Sequence, residues 1–460
     1  MKDQGGLNSK IIALGILVLL SRLPFLFDGY GAEEDSWGLA WHAWSHQTTG
    51  IYEESRLPGH PVQEFILGWT WSDSPFLFNL FSAIMGSLAV VFFTASAKRL
   101  GIKNDLLAGL VFAMVPVVYI NSTCTVDYIW ALGFAMASFY FFLGKKYMLA
   151  GVFLGLAMGC RITSGALLGV FIFFHAAGFF SVQAWKDLAR TFLVTFVVAT
   201  LLFIPVIKNH GPAFFIYYDQ FPYPSPAKLL YKMVPGVWGV MGVLALAVFA
   251  MPVLQNIRNV DKRILAGFIA AFILFTVAYF RLPQKSAYMI PLVPFVLLLY
   301  FRVLSSKQIR IFSLMMLLAP FLLSVNLTDS VRGADHSSLA VKFRMSGQEI
   351  FIDPVSGPIF SEKSKRQNKM AYTDSVIGRI KENKAGSVLI CGWWWNEIRV
   401  KTIDMDLRNI KLVFYINEKE MKEFEDLGFY MSYLREQEIY NDLYSGINST
   451  KTFASPFETH

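Results

Sequence analysis

Long apolar runs separated by short polar connections dominate the first 325 residues. An α-helix needs about 20 apolar residues to cross a bilayer, and lipid leaves no backbone group unpaired, so runs of this length predict a helical bundle. The first run lacks a small-residue cleavage site and is predicted to remain as a span. We place about 11 transmembrane helices near residues 11–27, 76–97, 105–121, 126–143, 147–160, 162–180, 188–207, 233–254, 263–280, 286–304 and 309–325.

The pattern changes after residue 325 to mixed charged and polar positions. "MAYTDSVIGRIKENK" has the periodicity of an amphipathic helix, and "SVLICGWWW" and "IKLVFYI" are typical of buried strands. "NEKEMKEFEDLG" predicts a helix with Asn417 as N-cap, Glu420 in a capping box and Gly428 past its end. We therefore predict a transmembrane domain over 1–325 and a small α/β domain over 326–460. "CGWWWNE" is either an aromatic surface or a buried strand end.

Composition supports a membrane location. The chain is 55% hydrophobic and 16% charged, with a mean hydropathy of +0.45, which is too apolar for an ordinary soluble protein. Its three cysteines share no metal-ligand spacing. The net charge of +8 is dispersed through short loops, so we predict no nucleic-acid partner.

Lysine and arginine residues mark alternate connections between the predicted spans. By the positive-inside rule those connections, with the amino terminus, are cytoplasmic in a multi-pass protein of the plasma (inner) membrane. The opposite, outward side receives residues 28–75, here called the acidic loop, in which eight carboxylates face the single cation Arg56. An odd span count also places the carboxy-terminal domain outside. The unusual polar residues therefore converge on the outer face.

Three consecutive carboxylates, Glu33, Glu34 and Asp35, open the acidic loop's first helical segment. A helix dipole explains one or two acidic residues at such a position but not three. The segment also carries tryptophans at helical spacing, as interfacial helices do. The cluster therefore predicts a general base, a metal site, or both. Glu34, Asp35 or Asp127 could hold Mg²⁺ or Mn²⁺, because carboxylates are suitable ligands for hard cations.

Five further residues on the outer side are weighed as site candidates. Asp127 opens a span behind Thr125 and is either a helix cap or part of a site. Arg161 lies between two apolar runs, where it needs an anionic partner, either Asp127 or a ligand phosphate.

Arg281 and Lys285 flank a span on the side that otherwise lacks cations. They either reach toward headgroups or bind a lipid phosphate. His60, in the turn "PGHP", is more consistent with a structural role than with a catalytic one.

These features together resemble the GT-C superfamily of integral-membrane glycosyltransferases. "EEDSW" is similar to that superfamily's acidic pair and following aromatic, "PGHP" to its Pro-Gly-x-Pro turn and "TVDY" to its second acidic site. "RLPQKSAYMIPLVPF", with Tyr288, resembles its basic segment and Tyr-x-x-Pro-x-x-Pro helix. The resemblance covers about residues 10–325 and is nearest to aminoarabinose-transferase-like and protein O-mannosyltransferase-like (glycosyltransferase family 39-like) enzymes.

The resemblance implies transfer of a sugar from a polyprenyl phosphate donor to a lipid, glycan or protein acceptor, with inversion at the anomeric carbon. The superfamily's Asp-Glu pair is Glu-Glu-Asp here, and the register with Trp37 favours Glu33 as the general base, with Glu34 next. Arg281, Lys285 and Arg161 would bind the donor phosphate, and His60 and Tyr288 would belong to the substrate region. The alternatives are a transporter or flippase for an anionic lipid-linked substrate, and a receptor or assembly scaffold.

Overall fold

The computed structural model describes residues 6–175, 182–212, 214, 223–327, 334–345, 348–380, 386–407, 410–414 and 416–434. Up to residue 323 the described chain is almost entirely helical. Its helices are α1 Ser9–Arg22, α2 Glu34–Thr49, α3 Pro61–Trp69, α4 Pro75–Arg99, α5 Asp105–Ala113, α6 Pro116–Asn121, α7 Asp127–Leu143, α8 Tyr147–Cys160, α9 Ala166–His175, α10 Val182–His210, α11 Pro226–Met233, α12 Pro235–Asn256, α13 Lys262–Arg281, α14 Val293–Val303 and α15 Ser306–Leu318. Short 3-10 turns cover Leu23–Phe25, Ile162–Gly165, Ile257–Asn259 and Ser286–Leu292.

Five of the described helices are long and apolar enough to cross a membrane: Pro75–Arg99, Val182–His210, Pro235–Asn259, Lys262–Arg281 and Ser286–Val303. Each coincides with a predicted span. Shorter apolar helices cover Asp127–Leu143, Tyr147–Cys160 and Ile162–His175, also at predicted positions. The chain is therefore a polytopic helical membrane protein, whereas the count of about 11 spans remains a prediction.

The predicted span over 105–121 is interrupted in its middle. Pro116 has no N–H to continue the helical ladder, so α5 ends at Ala113 and α6 begins at the proline. The buried Arg22 occupies the break, and its Nη2 donates to the open carbonyl of Ala113 at 2.5 Å and its Nε to Ser122 Oγ at 2.9 Å. The guanidinium also lies 3.6 Å from the ring of Tyr119. These contacts offset the cost of burying a cation among apolar helices.

Basic side chains link several connections at one end of the bundle. Arg99 Nη1 donates to the carbonyl of Tyr140 at 2.6 Å, and Arg302 Nη1 donates to that of Leu100 at 2.5 Å. The connections after α4, α7 and α14 therefore share an end. The acidic loop precedes α4 and lies at the other end of that helix. The orientation in the membrane remains a prediction.

Within its described residues, the carboxy-terminal region contains two three-stranded sheets. Strands β1 Ser324–Leu327, β2 Val341–Met345 and β3 Gln348–Asp353 are antiparallel in the order β1-β3-β2. After helix α16 Pro358–Ile380 come β4 Ser387–Ile390, α17 Trp395–Lys401, β5 Ile410–Val413, α18 Glu418–Asp426 and β6 Tyr430–Tyr433. The second sheet is parallel in the order β5-β4-β6.

Most local signals in this region are confirmed. Both segments predicted as buried strands contain a strand, but β4 is buried as predicted whereas β5 is only partly buried. The Asn417 side chain accepts from the backbone N–H of Glu420 in the predicted capping box. The predicted amphipathic helix starts earlier, at Pro358, and residues 381–384 of that prediction lie outside the described residues. In the tryptophan run, Trp394 is fully buried in a core with Ile380 and Leu389.

Candidate active site

The acidic loop places the three carboxylates at the amino terminus of α2. Glu33 is the N-cap residue, and Glu34 and Asp35 form the first turn. The preceding chain is held in place because Trp37 Nε1 donates to the carbonyl of Gly31 at 2.9 Å. Asn79 of α4 donates from Nδ2 to the carbonyl of Gly29 at 2.8 Å. The cluster is therefore tied to a transmembrane helix.

Another carboxylate of the acidic loop, Glu64 on α3, holds the preceding segment 52–60 in place through hydrogen bonds. Glu64 is fully buried and accepts from Ser55 N at 2.8 Å, Ser55 Oγ at 2.6 Å, Tyr52 OH at 2.6 Å and His60 N at 2.9 Å. Burial alone would raise the pKa of Glu64, but its polar surroundings, including the hydrogen bonds from Ser55 and Tyr52, lower it. Glu64 stays ionised as a structural anchor, which its position in the sequence did not reveal.

Six side chains form an alternating ion chain across the acidic-loop end of the bundle. Lys285 Nζ lies 2.7 Å from Glu33 Oε2 and also contacts Asp35, and Arg161 Nη1 lies 2.7 Å from Asp127 Oδ2. Arg56 joins the two halves by pairing with both Asp35 and Asp127. The order is Glu33, Lys285, Asp35, Arg56, Asp127 and Arg161. Three carboxylates and three cations balance, so the chain is neutral.

Asp35 is held as an anion by its two cationic neighbours. Burial would raise the pKa of Asp35, but Arg56 and Lys285 outweigh it and hold the pKa well below its usual range. In the same way, Asp35 and Glu33 raise the pKa of Lys285 against the effect of burial. A carboxylate with so low a pKa is a weak base, which assigns Asp35 to fixing Lys285 and Arg56.

Asp127 anchors the inner half of the ion chain at the first turn of α7. Its side chain is fully buried and pairs with Arg161, the partnership that the sequence left open. The Arg161 guanidinium also lies 4.6 Å from the ring of Tyr128 and 4.2 Å from that of Tyr288.

His60 is buried beside this pair. Its Nδ1 lies 2.6 Å from the carbonyl of Cys160, and its Nε2 accepts from Arg56 Nε at 3.1 Å. Burial lowers the pKa of His60, so the neutral ring supports Arg56, consistent with a structural role.

Glu34 points away from its two neighbours and toward the carboxy-terminal region. Its Oε1 accepts from the backbone N–H of Asn396 at 2.6 Å, and its Oε2 lies 3.9 Å from Lys369 Nζ. Burial raises the pKa of Glu34 to about 8, with Glu397 adding to the effect and Lys369 opposing it. The three consecutive carboxylates therefore point in two directions, because Glu33 and Asp35 contact Lys285 while Glu34 contacts α17.

A cavity of about 530 Å³ adjoins the end of the ion chain that carries Glu33 and Lys285. Glu33 and Lys285 line it, together with Lys228 and Lys232 of α11 and Glu362 of α16. Its remaining lining includes the apolar Val117, Ile120, Val126 and Ala287. Sequence reasoning missed the two α11 lysines. Their spacing of four residues on the short amphipathic segment "PAKLLYKM" was the available signal.

Of the three cations predicted to bind the donor phosphate, only Lys285 lines the cavity. Arg161 pairs with Asp127 beneath it, and Arg281 is exposed at the end of α13. Arg281 and Tyr288 are not among the lining residues.

The carboxylates proposed for a metal are also separated. Glu34 faces α17, and Arg56 lies between Asp35 and Asp127. Among the residues that the structure describes, no group of three or more His, Cys, Asp or Glu side chains could hold a metal ion. Asp35 and Asp127 would each have to exchange an arginine for the metal. The arrangement therefore does not fit the Mg²⁺ or Mn²⁺ site that the sequence suggested.

Two solved structures share this architecture. ArnT from Cupriavidus metallidurans bound to undecaprenyl phosphate matches with a TM-score of 0.57 and 13% identity, over 91% of this chain and 87% of that one. Apo ArnT from the same organism matches with a TM-score of 0.58 and 12% identity, over 96% and 94%. No family profile and no curated protein matches by sequence. At this identity the likeness shows a common fold.

Proposed function

We propose that this chain is a membrane glycosyltransferase that moves a sugar from a polyprenyl phosphate donor to a lipid, glycan or protein acceptor. The observation that carries the proposal is the position of Glu33, which lines a 530 Å³ cavity while its Oε2 lies 2.7 Å from Lys285 Nζ. A carboxylate beside a fixed cation, next to apolar lining, suits a reaction whose leaving group is a lipid phosphate. The ArnT fold, solved with undecaprenyl phosphate, supports this donor class.

In the proposed reaction Glu33 accepts the proton of the attacking acceptor group. The acceptor atom forms a bond to the anomeric carbon from the face opposite the phosphate. The bond between that carbon and the phosphate oxygen breaks, and its electron pair leaves with the polyprenyl phosphate. A single displacement of this kind inverts the anomeric centre.

Lys285 links the proton transfer to the departure of the phosphate. Its ammonium group contacts both Glu33 and Asp35. When Glu33 becomes protonated, Lys285 loses one anionic partner and can stabilise the charge that develops on the phosphate. Asp35 remains ionised and keeps Lys285 in place. Glu33 and Lys285 therefore act as a pair, and the acidic-loop end is proposed to face the outside of the membrane.

The test measures release of polyprenyl phosphate in membranes of the native host, which contain the acceptor. A panel of radiolabelled polyprenyl phosphate sugars is added to membranes that carry the wild-type chain or Glu33→Gln. Release and sugar transfer with the wild type, and loss of both with Glu33→Gln, would support the proposal. Binding of these lipids without any consumption would instead support the transporter or flippase alternative.

A further inference from the structure

Helix α16 of the carboxy-terminal region contributes to the wall of the cavity. Glu362, on the second turn of α16, lines the cavity together with Glu33 and Lys285. Its side chain is partly exposed, so a molecule in the cavity can reach it. The carboxy-terminal region therefore places a carboxylate in the same space as the proposed general base.

Arg366 fixes Glu362 in this position. It lies one helical turn after Glu362, and its Nε donates to Glu362 Oε1 at 3.3 Å. The guanidinium is buried and also donates to the carbonyl and the Oγ1 of Thr123, at 2.9 and 3.2 Å. Thr123 lies between α6 and α7 and precedes Cys124, which lines the cavity. The contact that orients Glu362 therefore also joins α16 to the helical bundle.

The same face of α16 supports the chain that leads to Glu33. Lys369, two helical turns after Glu362, is buried and donates from Nζ to the carbonyl of Ala32 at 3.3 Å. Ala32 directly precedes Glu33 and also lines the cavity. A single helix therefore links the position of Glu362 to that of Glu33.

The charge of Glu362 limits what it can bind. A carboxylate repels a phosphate, so Glu362 does not suit the charged part of the proposed donor lipid. The hydroxyl groups of a sugar are neutral and can donate hydrogen bonds, and a hydrogen bond to a carboxylate is about twice as strong as one between neutral groups. In the proposed donor lipid the sugar is joined directly to the phosphate, so the sugar enters the cavity when the phosphate reaches Lys285.

From these contacts we infer that Glu362 accepts a hydrogen bond from a hydroxyl group of the transferred sugar and thereby contributes to the choice of sugar. This inference rests on the proposed function. Glu33 and Glu362 are the two carboxylates among the lining residues, and Glu33 takes the proton of the acceptor. A carboxylate has about four lone-pair sites, so the contact between Glu362 Oε1 and Arg366 is compatible with a bound hydroxyl.

The test compares a radiolabelled polyprenyl phosphate sugar that the wild type consumes with its monodeoxy analogues, each lacking one hydroxyl group. Initial rates are measured below the KM of each lipid, in membranes of the native host that carry the full chain. The variants are Glu362→Ala and Glu362→Gln. Asp374→Asn is the matched control, because Asp374 is an exposed carboxylate of the same helix that pairs with Lys401 and does not line the cavity.

We expect the wild type to use at least one analogue about 10-fold less well than the parent sugar, as loss of a hydrogen bond to a charged group does. In Glu362→Ala the penalty for that analogue should disappear, while the penalties for the other analogues persist. Glu362→Gln should show an intermediate penalty, because its amide oxygen accepts a weaker hydrogen bond and can still contact Arg366. The control should reproduce every wild-type ratio.

A purely structural role for Glu362 predicts a different pattern. Loss of transfer by the same factor for the parent sugar and every analogue, or wild-type ratios throughout in Glu362→Ala, would overturn the inference. If Glu362→Ala does not fold, wild-type ratios in Glu362→Gln would overturn it equally. A wild-type chain that binds the donor lipids without consuming any of them would instead refute the proposed function.

Discussion

Glu34 Oε1 accepts a hydrogen bond from the backbone N–H of Asn396 over 2.6 Å, and this contact joins the first turn of α2 to α17. The two helices approach closely at Gly38, where a Cβ atom would lie 3.0 Å from Asn396 Nδ2. Arg399 of α17 adds a cation–π contact, 3.6 Å from the ring of Trp41. The carboxy-terminal region thus holds the helix whose amino terminus carries Glu33 and Asp35.

This geometry separates the roles of two adjacent carboxylates. Glu33→Gln is expected to lower transfer at least 100-fold, because an amide cannot accept the acceptor proton. Glu34→Gln is expected to stay within about 3-fold of the wild type, because its amide oxygen can still accept from Asn396 and general-base catalysis does not involve it. Release of radiolabelled polyprenyl phosphate measures both. The reverse ranking would make Glu34 the base and contradict the assignment.

Stability is expected to depend on pH through Glu34. Its pKa is about 8 in the folded chain, against 4.5 in water. Below pH 4.5 both states are protonated. Between pH 4.5 and 8 the carboxyl is ionised in the unfolded chain but keeps its proton in the folded chain, so ionisation favours unfolding. The free energy of unfolding therefore falls as pH rises, by at most about 1.4 kcal/mol per pH unit.

Thermal unfolding in detergent between pH 5.5 and 8.5 checks this effect. The wild-type midpoint should fall with pH, and Glu34→Gln should flatten the slope. Glu33→Gln is the matched control and should retain it. If the unfolding midpoint changed equally with pH in all three proteins, the ionisation of Glu34 would not be the cause of the pH dependence.

Arg56 is expected to be essential for folding of the site. Removing Arg56 takes one cation away from the fully buried Asp127 and breaks the link between Asp127 and Asp35. Breaking a buried ion pair from one side costs about 3 to 5 kcal/mol. Arg56→Gln should therefore lower the unfolding midpoint clearly, whereas Arg56→Gln combined with Asp127→Asn should regain part of the loss. A double variant that shows the plain sum of the single effects would argue against coupling.

Lys285 and Arg281 are expected to differ, although both were candidates for the same role. Lys285→Gln removes the shared partner of Glu33 and Asp35 and should lower transfer by about 100-fold or more, as loss of a preorganised charge does. Arg281→Gln changes an exposed residue outside the cavity lining and should change transfer less than about 3-fold. Rates at saturating donor distinguish them. A large loss of transfer in Arg281→Gln, with none in Lys285→Gln, would place the phosphate-binding site at the end of α13.

Much of the fold follows from local signals in the chain. The length of each apolar run determines whether a helix can cross the bilayer, and the five long apolar helices lie where such runs occur. The capping box at Asn417 and the break before Pro116 likewise depend on neighbouring residues. The approximate location of the site was also predictable, because a bilayer concentrates charged residues at helix ends.

The assignment of each charge to its partner was decided by tertiary structure. Glu33, Glu34 and Asp35 are consecutive in sequence, yet the helical turn and the packing of α17 send Glu34 to Asn396 and its neighbours to Lys285. Arg56 joins Asp35 to Asp127, which lies 71 positions after Arg56 in the chain. An ion pair depends on distance and burial in three dimensions, and sequence proximity specifies neither. The sequence by itself determined the membrane helices and the acidic end, and only the packed structure decided which carboxylate faces the cavity.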